Sequence, residues 1–170
     1  HPSLFWNDVG WPKAGENHLK HLLANYYNVC EEAVVNDRFS SFYHGYLTKE
    51  YKSGVATRID KWEMCRGLGL SFGYNAMEND QNAISSKDLI DLLVSTVGNN
   101  GNLLVNVGPK ADGTIPDWQA ERLLALGKWL NINGEAIYGT RICERETIET
   151  DSVHMHFTQK NEKLYLLLTK

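Results

Sequence analysis

Four short apolar runs, each ending in polar or glycine residues, alternate with segments of helical period, and few folds accept that order. Leu4-Phe5-Trp6 runs into Asn7-Asp8-Val9-Gly10, and Ala33-Val34-Val35 into Asn36-Asp37-Arg38. Trp62-Glu63-Met64-Cys65-Arg66 is the third run; Leu103-Leu104-Val105-Asn106-Val107, closed by Gly108-Pro109, is the fourth. Runs of this length bounded by turn residues read as buried strands. Residues 16–29 place Leu19, Leu22, Leu23, Tyr26 and Tyr27 at helical spacing. A second helix is expected over 85–96, capped by Ser85 or Ser86, with Ile84, Leu89, Leu92, Leu93 and Thr96 on one face. A third opens at Pro116 and is stopped by Gly134.

This alternation is that of a parallel α/β protein. Residues 39–60, which include Gly45 and Gly54, show no period and are expected to form a long loop, the kind that is often functional. The pattern changes near residue 140. Residues 153–157 alternate, and 163–168 form a second strand-like run behind Asn161-Glu162. Two antiparallel strands there suggest that 141–170 begin a separate all-β domain after an α/β unit over 1–140.

Composition narrows the function classes. No run approaches the roughly 18 apolar residues that a membrane span needs. The net charge is −4 and the Lys and Arg residues are scattered, which disfavours a nucleic-acid partner. No signal peptide or initiator Met precedes His1, so the sequence reads as a piece of a longer, soluble chain. Compartment is unassigned; a cytoplasmic setting is the default, and secreted, periplasmic or lysosomal settings are compatible. Cys30, Cys65 and Cys143 have no C-x-x-C spacing and are expected as three buried thiols. The segment from Gly108 to Gly113 lacks Walker and dinucleotide-binding spacing, and no Gly-x-Ser-x-Gly elbow exists. His154 and His156 share a strand face, yet no third metal ligand is in view.

Five acids fall near strand ends or turns: Asp8, Asp37, Glu50, Glu63 and Asp112. Chemistry in parallel barrels gathers at the C-terminal ends of strands, and glycoside hydrolysis needs two carboxyls supplied by different elements. Asp8 sits between Trp6 and Trp11, an aromatic wall on which a sugar could pack, although it could equally cap a turn. Glu50, in the expected loop, is a candidate proton donor or simply a solvated charge. Glu63, in an apolar strand, needs a partner, with Arg66, Arg38 and Arg58 as options. Arg38 could steady an anionic nucleophile or pair with Asp37.

Several segments, taken in order, resemble the retaining α-L-fucosidases of glycoside hydrolase family 29. They are Leu4-Phe5-Trp6-Asn7-Asp8-Val9-Gly10-Trp11-Pro12, Val35-Asn36-Asp37-Arg38, Trp62-Glu63 with Ser71-Phe72-Gly73-Tyr74-Asn75, and Gly101-Asn102-Leu103-Leu104-Val105-Asn106-Val107-Gly108-Pro109. Asn133-Gly134-Glu135-Ala136-Ile137-Tyr138-Gly139-Thr140 resembles the handover from barrel to β-sandwich. The resemblance implies the C-terminal part of a (β/α)8-like TIM barrel followed by the first strands of a β-sandwich. It implies Asp8 as nucleophile, Glu50 as acid/base, and Trp6, Arg38 and Phe72 as fucose contacts, with Glu63 in a supporting place. It implies exo-acting hydrolysis of terminal α-L-fucosides of glycoconjugates, with no metal or organic cofactor and with oligomers possible. A non-catalytic carbohydrate-binding fragment and a barrel glycosidase for another sugar are the alternatives.

Overall fold

The computed structural model describes residues 2–39, 42–51 and 59–170. Arg58, one option as partner of Glu63, and Gly54 lie outside the described residues. Five strands run parallel in chain order: β1 (Leu4–Phe5), β2 (Val34–Val35), β3 (Leu47–Glu50), β4 (Trp62–Gly67) and β5 (Gly101–Asn106). β1 pairs with β2, and β4 lies between β3 and β5. A parallel bridge from Asn36 to Tyr46 links the end of β2 to the start of β3. Each strand thus neighbours the one before it. A doubly wound sheet would reverse that order at a switch point, whereas a barrel wall keeps it.

Helices cover one side of this arc. α1 (Glu16–Val29) buries Leu19, Leu23 and Tyr26, a stripe at i, i+4, i+7, against Val35 and Phe39. α2 (Ser86–Gly98) is capped by Ser85, whose hydroxyl accepts from the Asp88 amide at 3.0 Å. Its Leu92 packs with Trp62 and Met64 of β4. The alternation along β4 then points Glu63 and Cys65 to the opposite side, into the arc. α3 (Asp117–Asn133) follows β5, and its buried Gln119 accepts from the Gly108 amide at 2.9 Å.

After Thr140 every strand pairing is antiparallel. β8 (His154–Lys160) pairs with β9 (Lys163–Thr169) on one edge, and with β6 (Arg141–Ile142) and β7 (Ile148–Glu149) on the other. Leu167 of β9 joins Leu93, Val94, Ala136 and Ile137 in one core cluster, seating this sheet on α2.

Three expectations are corrected. The stretch 39–60 is not all loop, because β3 lies within it, and Glu50 is the last residue of that strand. Leu47-Thr48-Lys49-Glu50 carries a single apolar residue, so no hydrophobic period announces the strand. The short strands β6 and β7 also escape a reading by pattern. Of the three free thiols only Cys65 and Cys143 are buried; Cys30, at the exposed end of α1, is half-buried.

Candidate active site

The sequence folds so that both candidate carboxylates leave their strands at one end of the arc. Trp6 and Asn7 extend β1, and the buried Asn36 locks that extension: its side chain accepts from the Asn7 amide at 3.1 Å and donates to the Asn7 carbonyl at 2.8 Å. Asn7 in turn donates to the Arg38 carbonyl at 2.9 Å. Asp8 therefore stands on a backbone fixed from the neighbouring strand. The next residue, Val9, has φ +50°, and Gly10 has φ +82°. A β-branched residue in the left-handed region is strained, a cost of order 1–3 kcal/mol that surrounding structure must offset. Tyr51, immediately after Glu50, is likewise left-handed at φ +51°. Each acid is thus the last residue before a forced change of chain direction.

Arg38 joins them. Its Nη1 donates to Asp8 Oδ1 at 2.6 Å, while its Nη2 pairs with Glu50 Oε1. The guanidinium lies over the Trp6 ring, 4.7 Å from its centroid, and its Nε donates to Thr48 Oγ1 at 3.1 Å. Thr48 Oγ1 donates to Asp37 Oδ1 at 2.6 Å. Asp37 is therefore the orienting group behind Thr48, not the partner of Arg38. The Asp8 carboxyl is held below the usual range, first by the Val9 N–H that it accepts at 2.8 Å and then by Arg38. Burial works against the charge on Arg38, but the hydrogen bonds to Glu50 and Asp8 outweigh it and raise its pKa.

Trp6, Asp8, Glu50, Cys65, Phe72, Leu104 and Asn106 line a pocket of about 310 Å³. Four of the five residues singled out in the sequence meet in it, and the fifth, Arg38, links its two acids. Phe72 is set by Tyr51, ring edge to face at 5.1 Å, and by Asn106, whose side-chain amide donates to the Phe72 carbonyl. Cys65, Leu104 and Asn106 were not singled out. Asn106, the one polar residue inside an apolar strand, was the available signal; Cys65 had none beyond its alternation with Glu63. Burial, followed by the charges of Glu63 and Glu50, pushes the Cys65 thiol up, so it stays protonated at neutral pH.

The other candidates fall elsewhere. Glu63 accepts from Trp6 Nε1 at 2.8 Å and pairs with neither Arg38 nor Arg66. Arg66 stacks on Tyr51 and donates to the Gly67 carbonyl. Asp112 closes its own turn through Thr114. His156 is buried between Thr169 and Thr147, and His154 faces Glu149. Among the described residues no group of three His, Cys, Asp or Glu could hold a metal, and no helix is long and apolar enough to cross a membrane.

Two carboxylates at the strand ends of a parallel arc, facing one aromatic-walled pocket, form an arrangement of the kind barrel glycoside hydrolases use. A family model described as Alpha-L-fucosidase matches residues 1–135. Human tissue alpha-L-fucosidase is 38% identical over 98% of this chain and 38% of its own length. The alpha-fucosidase of Thermotoga maritima, solved with a mechanism-based inhibitor, is 46% identical and superposes with a TM-score of 0.89. That match covers 98% of this chain and 38% of that one. The same bacterial protein solved with fucose gives 45% identity and a TM-score of 0.88 over equal shares. The chain belongs to the α-L-fucosidase family. Its fold is the C-terminal part of a (β/α)8-like barrel followed by β-sandwich strands, and it spans less than two-fifths of the length of these relatives.

Proposed function

We propose that the chain is part of a retaining, exo-acting α-L-fucosidase that hydrolyses terminal α-L-fucosides of glycans. The observation that carries the reading is that Asp8 and Glu50, at the ends of separate strands, face one pocket and share one guanidinium. Sharing a single planar fork favours the roughly 5–5.5 Å carboxyl separation of retaining enzymes over the roughly 6.5–9.5 Å of inverting ones. The relative solved with fucose supports the sugar.

Asp8 attacks the anomeric carbon as the bond to the leaving oxygen breaks, and Glu50 passes its proton to that oxygen. The product is a fucosyl ester on Asp8. Glu50 then takes a proton from water as the water oxygen attacks the same carbon, freeing Asp8 and releasing fucose with its α configuration retained. Arg38 and the Val9 N–H keep Asp8 anionic between turnovers. Trp6 and Phe72 supply apolar faces to the sugar. The change from parallel to antiparallel pairing after β5 supports a division into a barrel domain over 1–140 and a β-sandwich that begins over 141–170.

In the full-length parent, Asp8→Gly should lower turnover of an aryl α-L-fucoside by on the order of 10³-fold or more, with partial recovery in azide. Undiminished turnover in that variant would remove Asp8 as nucleophile. Cleavage of an aryl β-D-galactoside in preference to the fucoside would remove the sugar assignment.

A further inference from the structure

Glu63 does not line the pocket, and among the described residues no ion pair involves it. Yet it stands on β4 at the inner side of the arc, half-buried, with a carboxylate oxygen 2.8 Å from the indole nitrogen of Trp6. An N–H bonded to a carboxylate is held more strongly and more directionally than one bonded to a neutral acceptor. That bond fixes the plane of the Trp6 ring. The guanidinium of Arg38 lies on the face of the same ring, and its two terminal nitrogens hold Asp8 and Glu50. The contacts thus run unbroken from Glu63 through the edge of Trp6, its face and the fork of Arg38 to both reacting carboxylates.

We propose that Glu63 is a positioning residue for the reacting pair, acting through Trp6 and Arg38 without touching the sugar; this rests on the fucosidase reading above. The Tyr46 hydroxyl is buried and has no hydrogen-bond partner among the described residues. Burial first, and the negative charge of Glu63 next, hold that phenol protonated far above its usual range. Tyr46 therefore stays neutral at working pH and adds no negative charge near Glu63.

The role separates from proton donation by chemistry. A glutamine at position 63 keeps an oxygen for the indole N–H but holds no transferable proton; a leucine keeps neither. In the full-length enzyme, Glu63→Gln should retain kcat/KM for an aryl α-L-fucoside within about tenfold, while Glu63→Leu loses about 100-fold, the scale of a displacement near 1 Å at the reacting atoms. The loss should appear in kcat more than in KM. In a Trp6→Phe background, which lacks the indole N–H, Glu63→Leu should cost little further, because the two side chains act as one unit. If Glu63→Gln is as inactive as Glu50→Gln, Glu63 is a proton donor and the inference is overturned. Full additivity of Glu63→Leu and Trp6→Phe also overturns it, leaving only a structural role. A readout independent of turnover is the indole N–H resonance that Trp6→Phe removes, which its bond to Glu63 should protect from exchange. Glu63→Leu should abolish its protection, and persistence would overturn the inference even in an enzyme that does not act on fucosides. Failure of the parent to cleave any α-L-fucoside would instead sink the functional reading.

Discussion

Arg38 divides its two terminal nitrogens between two acids that must differ in protonation during the proposed reaction. Asp8 has to be ionised to attack, and its carboxyl is held low by the Val9 N–H first and by Arg38 second. A depressed carboxyl stays ionised to lower pH than a free one, so the acid limb of kcat/KM should fall only as pH drops through that lowered value. Arg38→Met removes one of the two supports. The limb should move up toward the ordinary carboxylate range, and kcat/KM at neutral pH should drop by on the order of 10²-fold, as when one preorganised donor is lost. A pH–rate profile of the full-length variant measures both, and an unmoved acid limb would show that Arg38 does not act on Asp8. The residue scale is also where the sequence was most readable. Asp8 between two tryptophans, and Arg38 after a β-branched run, are visible as letters. That one arginine would grip both acids is not, because it depends on Glu50 ending the strand beside it, two strands from Asp8.

At the scale of elements, β3 explains what pattern could not reveal. Its alternate residues Thr48 and Glu50 turn toward Arg38, where the site needs polar groups, so the strand has no apolar inner face to betray it. The helices were legible because their buried stripes serve packing: Leu19, Leu23 and Tyr26 in α1, Leu89 and Leu93 in α2. A strand whose inner face is the candidate active site hides, while one such as β5, whose Leu103 also packs against the core cluster that includes Leu93 and Val94 of α2, does not. The end of β4 carries a similar constraint in a single residue. A methyl group added at Gly67 would lie 2.3 Å from the Ser71 carbonyl oxygen and 2.8 Å from the Tyr51 hydroxyl. That hydroxyl accepts from the Gly67 amide at 3.0 Å, and Tyr51 sets Phe72. Gly67→Ala should therefore cost about 1–3 kcal/mol in thermal or denaturant unfolding and raise KM by loosening Phe72. Wild-type stability and KM in this variant would refute the close approach.

For the whole molecule, the two sheets leave different faces open. On β9, Leu164, Leu166 and Leu168 are 51%, 54% and 61% exposed, and they lie opposite Gln159, Phe157 and Met155 of β8. Such a row is one half of a two-sheet core, which supports the proposal that 141–170 begin a β-sandwich. The 170-residue chain alone should bind an apolar dye and self-associate, and replacing these three leucines with lysine should suppress both. A dye-negative, monomeric wild-type chain in light scattering would count against an uncovered face. The pairings also differ in reach along the chain. Lys160 meets Lys163 across a tight turn, but Leu4 must find Val34, and Trp62 must find Gly101. Hairpins close in about 1–10 μs, whereas parallel pairs wait on the loop entropy of a whole crossover. The expected order of assembly therefore runs against the order of importance to the proposed chemistry. The β8–β9 hairpin can form at once, and the carboxylate pair, which needs β1, β2 and β3 side by side, is among the last features the chain completes.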